Sequence, residues 1–394
     1  MYHALTEQEA VAYVKQLPGL FPEAAKLVSR EIGDGNLNLV FHVKDKVSGK
    51  SVIIKQALPY IRVVQDWTLT LDRARIEVEA LRVQHTHDPG RVPEVYHFDQ
   101  ELALFVMEDL SAYTIMRKGL TERQRYPYFA EHIGNFMART LFHTSDYAMS
   151  AADKKANTVR FTNPELCKIT EEVVFTDPYM DHPRNRFNPL IEREAIALRE
   201  DKPLKLEVAK LKEKFLTHAQ ALVHGDLHTG SIFVTEQDTK VIDPEFAYYG
   251  PMGFDIGAVY ANLLLNYAAQ LGHVADEAVR QDYQQYLIST IRDSWASFEK
   301  EFRRLWQEHA IEPTAHTEGF LDAYLQSVLQ DTTGFAGCKM IRRIVGIAHV
   351  SDIDSIEDDA ARAIAEKAAL AIGRSLIVGR QRVTSIDELI ALIP

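Results

Sequence analysis

Cysteine is nearly absent: Cys167 and Cys338 are the only two in 394 residues. So sparse a supply excludes a disulfide framework and a thiolate zinc cluster, and it fits a reducing compartment. Surplus positive charge is missing too. Against 56 Asp and Glu stand 44 Lys and Arg, a formal net charge of −12. That balance argues against a sequence-independent grip on nucleic acid. Long apolar runs are also lacking. The longest, around Ala258–Ala269, is broken by Asn262 and Asn266 and is too short to span a bilayer. The opening MYHALTEQEAVAYV has neither the basic start nor the apolar run of a secretory signal. There is no internal repeat and no low-complexity tract. The expectation is a cytoplasmic globular protein with no membrane or nucleic-acid partner. Its apolar fraction of 46% allows a sizeable core, and its length suits two lobes.

The two halves differ in pattern. Thr6 and Glu9 have capping-box spacing ahead of Ala10, Val11, Val14 and Leu17, which predicts a first helix. Strand signals follow at Leu27–Ile32, Leu37–Val43, Ser51–Lys55, Val95–Phe98 and Leu102–Met107, with helical spacing from Asp72 to Val83. Beyond Glu108-Asp109 the chain turns helical. The predicted helices are Thr121–Tyr147, Leu204–Gln220, Phe254–Leu271, Asp276–His309, Thr317–Gln330 and Asp358–Leu376. Ala221–Glu245 interrupts them as a loop between short strands. The reading is an α+β, bilobal, protein-kinase-like fold: a small β-rich N-lobe, 1–108, and a large, mostly helical C-lobe, 109–394.

Four pieces carry chemistry, in one order. Gly33-Asp34-Gly35-Asn36-Leu37-Asn38 lies between two strands, where glycines let backbone N–H groups approach phosphates. Alone it reads equally as a hairpin turn. Lys55 ends the apolar run Val52-Ile53-Ile54, the place of a phosphate-binding lysine held by a helix carboxylate. Glu77, beside Ile76 and one turn before Leu81, is preferred over Glu79 as that carboxylate. In His224-Gly225-Asp226-Leu227-His228-Thr229-Gly230-Ser231, Asp226 is placed to orient an acceptor hydroxyl, and Ser231 stands five residues on, where kinases put a metal ligand. Asp243-Pro244-Glu245 follows, Asp243 being seventeen residues after Asp226. In an extended segment its two carboxylates share a side and suit Mg²⁺. His224, Asp226 and His228 taken alone also read as a metal-hydrolase cluster, but a hydrolase needs none of the other pieces.

His-Gly-Asp-Leu-His-Thr-Gly-Ser and Asp-Pro-Glu-Phe-Ala-Tyr-Tyr-Gly-Pro-Met-Gly-Phe-Asp-Ile-Gly resemble the aminoglycoside and choline kinase superfamily, and within it the 5-methylthioribose kinase family. Two further stretches are similar to that family. One is Gln65-Asp66-Trp67-Thr68-Leu69-Thr70-Leu71-Asp72-Arg73, a tryptophan-bearing loop; the other is the pair Arg342-Arg343. The resemblance implies ATP- and Mg²⁺-dependent phosphorylation of the anomeric hydroxyl of 5-methylthioribose, in methionine salvage, by a homodimer. It implies that Asp226 faces the sugar and that Asp243 and Glu245 hold Mg²⁺. Ser231, where Asn is usual, is the further metal candidate. Met107-Glu108-Asp109-Leu110 becomes the hinge that reads adenine, while Arg342, Arg343 and Trp67 meet the substrate. From the residues alone, Trp67 serves equally as a core or dimer aromatic, and the arginines as a surface pair. Adjacent helical residues point about 100° apart, so both arginines facing one site asks for a helix that is ending or distorted. Gly334, Gly337 and Gly346 suggest such irregularity. Another sugar, choline or aminoglycoside kinase is the alternative, and an inert nucleotide-binding scaffold is the rival from another class. A protein kinase lacks room for an activation segment between Glu245 and Phe254-Asp255.

Overall fold

The computed structural model describes residues 2–32, 37–61 and 64–394, and at 61 and 64–68 the backbone alone. The chain forms two compact units. Met1–Tyr113 with Ile242–Phe246 make the first, and Thr114–Val241 with Ala247–Pro394 make the second.

The first unit runs α1 (Glu7–Lys15), β1 (Leu27–Glu31), β2 (Asn38–Asp45), β3 (Ser51–Ala57), β4 (Tyr60–Ile61), β5 (Val64–Thr68), α2 (Arg73–His87), β6 (Val95–Asp99) and β7 (Leu104–Glu108). Thr6 and Glu9 close the capping box: Thr6 Oγ1 accepts from Glu9 N at 3.3 Å and Glu9 Oε2 accepts from Thr6 N at 2.8 Å. Five strands form an antiparallel sheet in the order β1-β2-β3-β7-β6. The period of two then sorts residues between its faces. Leu39, Phe41, Val43, Val52, Ile54, Leu104 and Val106 cluster with Ala10 and Val14 of α1. Lys55, in register with Val40 and Phe105, takes the other face, which meets α2.

The second unit continues with β8 (Thr114–Ile115), α3 (Met116–Thr121), α4 (Phe129–His143), α5 (Ala151–Arg160), α6 (Pro164–Val173), α7 (Glu192–Glu200) and α8 (Lys202–Thr217). Then come β9 (Ala221–Val223), β10 (Ile232–Val234), β11 (Thr239–Val241), β12 (Tyr248–Gly250), α9 (Gly253–His273), α10 (Glu277–His309), α11 (Phe320–Val345), α12 (Ser351–Asp354), α13 (Asp359–Gly379) and α14 (Ile386–Ile390). The short strands pair as β11-β10-β8 and β12-β9. The chief packing is α4 on α10, and α11 on both α9 and α13. No helix among the described residues is long and apolar enough to cross a membrane.

Two predicted helices need correction. Thr121–Tyr147 is split: α3 ends at Thr121 and α4 begins at Phe129, with Arg123 between them at φ 59°. The helix predicted at Thr317–Gln330 runs instead from Phe320 to Val345. The glycines that suggested irregularity there do something else. A Cβ on Gly337 would lie 2.4 Å from the Gly373 carbonyl oxygen and 2.6 Å from Ile377 Cγ1, so α11 stays regular and α13 comes close. Only Gly346 ends it, as the C-cap, its N–H donating to the Arg342 carbonyl at 3.0 Å.

Gly337→Ala is therefore expected to destabilise the protein by about 1–3 kcal/mol through overpacking, despite the ~1 kcal/mol that Ala gains in helix propensity. A thermal midpoint equal to or above the wild type's would contradict the close approach.

Candidate active site

The first cluster belongs to the first unit. Lys55 and Asn38 sit on the sheet face that meets α2, and Glu77 is one helical turn after Arg73 on that helix. Lys55 Nζ lies 2.7 Å from Glu77 Oε1 and also donates to Asp243 Oδ1. Glu79, the competing carboxylate, pairs instead with Arg75 at 2.7 Å. Arg73, 1% exposed, donates through Nη1 to Asn38 Oδ1 and to Glu245 Oε2, both at 2.6 Å. Its Nη2 donates to the carbonyls of Leu58, at 2.8 Å, and Leu37. Asn38 Nδ2 donates to Glu245 Oε2 at 3.3 Å.

Carboxylates outnumber cations here. Glu77, Asp243 and Glu245 offer oxygens all within 4.8 Å of one another, and among the described residues they are the one group so arranged. Burial, reinforced by Asp243 and Glu245, raises the Glu77 carboxyl against the pull of Lys55. Burial opposes the Lys55 charge, but Asp243, Glu77 and Glu245 outweigh it and raise the ammonium above its ordinary value. The carboxylates do not converge as an extended segment would bring them: Asp243 has φ 70°, the left-handed region, and this kink sets their directions. Such a conformation in a non-glycine residue is costly and is characteristic of functional sites.

At the strand end, Glu108 pairs with Val52, and its N–H donates to the Glu94 carbonyl at 2.9 Å. The Asp109 carboxylate accepts from Ser51 Oγ at 2.5 Å, from Ser111, and lies 3.0 Å from His42 Nε2. Burial raises Asp109, but these hydrogen bonds bring its net value below the ordinary one. Leu110 is buried and its carbonyl accepts from Tyr113 N at 2.8 Å. Gly33, Gly35 and Asn36 and the side chain of Trp67 lie outside the described residues.

The second cluster belongs to the second unit and gathers around Asp226, just beyond β9. Gly225 at φ 84° turns the loop so that Asp255 accepts from both His224 N, at 2.6 Å, and Gly225 N, at 3.0 Å. Asp226 Oδ1 lies 3.2 Å from Lys339 Nζ and 4.0 Å from Arg342 Nη2, and Oδ2 lies 3.4 Å from His228 Nε2. Burial raises the Asp226 carboxyl, but His228, Lys339, Arg342 and Arg343 hold it well below the usual carboxylate range. Burial brings His228 down to about 3, so it faces Asp226 as a neutral ring near pH 7. Ser231 is buried, its Oγ 3.2 Å from His228 Nδ1.

Arg342 and Arg343 occupy the last turn of α11, so each finds a different neighbour. Arg342 turns toward Asp226, while Arg343 donates to the Ala348 carbonyl at 3.0 Å. Burial lowers both guanidiniums. Arg117 of α3 adds another cation, 3.5 Å from Asp352 Oδ2 and 3.1 Å from Asn262 Oδ1. Arg117, Lys339, Arg342 and Arg343 thus face Asp226 and Asp352, a set of buried and half-buried side chains with surplus positive charge. The hydrolase alternative loses its basis, since His224, Asp226 and His228 do not form a metal-ligand group among the described residues.

Among the cations of the two clusters, Arg73, Arg117 and Lys339 were not singled out as site residues from the sequence, Arg73 standing there only at the end of the tryptophan-bearing stretch. Two carried a signal. Arg73 is four residues before Glu77, and Lys339 three before Arg342, so each shares a helix face with a residue already singled out. Arg117 carried none.

A carboxylate-rich group beside a buried lysine, and an aspartate ringed by cations, are the parts that phosphoryl transfer requires. The chain belongs to the phosphotransferase enzyme family, whose model matches residues 28–299. More narrowly, it is 50% identical over 393 residues to the methylthioribose kinase of Geobacillus sp. (strain WCH70), covering 100% of this chain and 96% of that one. The methylthioribose kinase of Yersinia enterocolitica serotype O:8 / biotype 1B (strain NCTC 13174 / 8081) is 47% identical, over 100% of this chain and 98% of its own. Among solved structures, the choline kinase from Cryptosporidium parvum Iowa II aligns over 95% of each chain, at 13% identity and a TM-score of 0.47.

Arg73→Lys keeps the charge but loses the fork that serves Asn38, Glu245 and two carbonyls. A buried acceptor that loses its donor costs about 1–3 kcal/mol, and the Asn38 amide oxygen and the Leu58 carbonyl are the acceptors most exposed to that loss. A clear drop in thermal midpoint is expected, and an unchanged midpoint would remove Arg73 from its central place in this cluster.

Proposed function

We propose that the protein transfers the γ-phosphoryl group of ATP to the anomeric hydroxyl of 5-methylthioribose, giving 5-methylthioribose 1-phosphate, as methionine salvage requires. The observation that carries the chemistry is Asp226, held ionised among Lys339, Arg342 and Arg343. The full-length identity to methylthioribose kinases supports the acceptor.

In this reading Lys55, held by Glu77, binds the α- and β-phosphates. The glycine-rich piece Gly33-Asp34-Gly35-Asn36, with Asn38 after it, is the phosphate-contacting segment of this reading, and the backbone of Met107–Leu110 reads adenine. Asp243 and Glu245 fit a divalent cation: they are hard oxygen donors in a cluster where carboxylate crowding already raises Glu77. Mg²⁺ bound there would neutralise charge on the β- and γ-phosphates. Asp226 orients the acceptor hydroxyl and receives its proton. A carboxylate held this far below its usual range is a weak base, which suits a loose transfer governed by position and charge. An anomeric hydroxyl, more acidic than an ordinary alcohol, asks less of that base. Arg342 and Arg343 bind sugar oxygens or the transferring phosphoryl group through planar, charge-assisted hydrogen bonds. Trp67 meets the substrate. The resemblance extends the reading to a cytoplasmic homodimer, which light scattering tests.

Coupled ADP release over methylthioribose, ribose, choline and kanamycin tests the acceptor. Turnover of methylthioribose alone is expected, and preference for another member of the panel would replace it with the alternative of a different small-molecule kinase. Asp226→Asn is expected to lower kcat by roughly two to four decades while ATP affinity holds. Calorimetry showing lost ATP affinity with kcat intact would reverse that assignment.

Glu245→Gln is expected to raise the Mg²⁺ needed for half-maximal activity more than Ser231→Ala does. A carboxylate offers charge to a hard cation and a hydroxyl only a dipole, and Ser231 already lies against His228. Equal midpoints in a free-Mg²⁺ titration would take Glu245 out of the metal site.

A further inference from the structure

Lys339 is an unusual residue to find inside α11. Its neighbours Cys338 and Met340 are fully buried, and it is itself only 4% exposed. Burying an ammonium is costly, and a Met of similar length would fill the same space without that cost. Among the described residues the single hydrogen-bond partner of its ammonium is Asp226 Oδ1, at 3.2 Å. Its Nζ also lies 4.3 Å from the centroid of the Phe254 ring, on α9, which limits its swing. Arg342, by contrast, stands 4.0 Å from the same oxygen, within ion-pair range but beyond a hydrogen bond.

We propose that Lys339, reaching from α11, is the positioning residue that fixes the Asp226 carboxylate for its acceptor hydroxyl. The inference rests on the phosphotransfer reading and deepens it. Lys339 acts through Asp226: it holds Oδ1 in one direction and keeps the carboxylate charged. The other groups facing this contact are His228 on the loop, Arg342 and Arg343 on the same helix, Asp255 and Phe254 on α9, Arg117 on α3 and Asp352 beyond α11.

A pH dependence follows. Burial brings the Lys339 ammonium down to about 8, with Arg342 and Arg343 adding to the effect and Asp226 opposing it. Below that value the ammonium is charged and holds Asp226. As pH rises through it the proton leaves, the hydrogen bond loses its charge assistance, and turnover falls.

The test is the pH profile of kcat for wild type, Lys339→Arg and Lys339→Met, run with whichever acceptor of the panel turns over. The wild type is expected to lose activity above about pH 8, as an essential group titrates. Lys339→Arg, charged throughout, is expected to keep part of the activity and to lose that alkaline limb. Lys339→Met is expected to lower kcat by about 10²–10³-fold with the KM for ATP within about twofold. A wild-type profile flat from about pH 7 to about pH 9.5 overturns the proposal without any variant, so a variant that fails to fold does not protect it. An unchanged limb in Lys339→Arg, or wild-type kcat in Lys339→Met, overturns it as well. A wild type that ignores methylthioribose but phosphorylates another acceptor sinks the substrate reading and leaves this experiment to decide on Lys339.

Discussion

Close packing of α11 against α9 and α13 is the constraint on which the cationic cluster depends. Gly337 and Gly373 let α11 and α13 approach until a Cβ on Gly337 would lie 2.4 Å from the Gly373 carbonyl oxygen, and a Cβ on Gly257 would lie 2.8 Å from the Thr332 carbonyl. That approach buries the C-terminal half of α11, including Lys339 and Arg342. Desolvation then lowers every cation there and makes their few carboxylate partners count heavily. A looser helix pair would admit water, and the same side chains would be ordinary surface charges of little consequence.

The two clusters are built on opposite electrostatic terms. In the first unit three carboxylates stand against Lys55 and Arg73, and Glu77 is raised. In the second, four cations stand around Asp226 and Asp352, and Asp226 is lowered. An excess of buried negative charge suits a divalent cation, while an excess of buried positive charge suits a phosphoryl group or a sugar rich in oxygens. Each set would be unstable in isolation from a ligand of the other sign, were its members not also hydrogen-bonded to one another and to backbone carbonyls.

Much of this was legible in the sequence because the chemistry is local there. Val52-Ile53-Ile54-Lys55 reads as a strand, whose successive side chains point to opposite sides, so Lys55 had to face away from the Val52 and Ile54 side. Ile76, Ala80 and Leu81 marked the buried face of α2 and drew attention to Glu77. The split of Thr121–Tyr147 had a signal in Pro127, two residues before α4 begins, but the helical pattern of Phe129–His143 was extended back across it. The extension of α11 past Gln330 was missed because glycines read as breakers when nothing reveals the neighbours they admit. Helices α5, α6 and α7 are amphipathic but only nine or ten residues long, too short for a helical pattern to stand out from the loops around them.

By itself, then, the sequence determined the strand-rich and helical halves, the order of the lysine, aspartate and Asp-x-Glu pieces, and the family to which they point. Those are properties of spacing along one chain. The tertiary structure alone decided that Asp243 lies in the left-handed region, that Arg73 and Asn38 donate to Glu245, and that Lys339 and Arg117 join the arginine pair. These depend on burial and on distances between segments more than a hundred residues apart in the chain, as Asp226 and Lys339 are, at 113 residues. Periodicity records which face of an element is buried but not which charges it meets there.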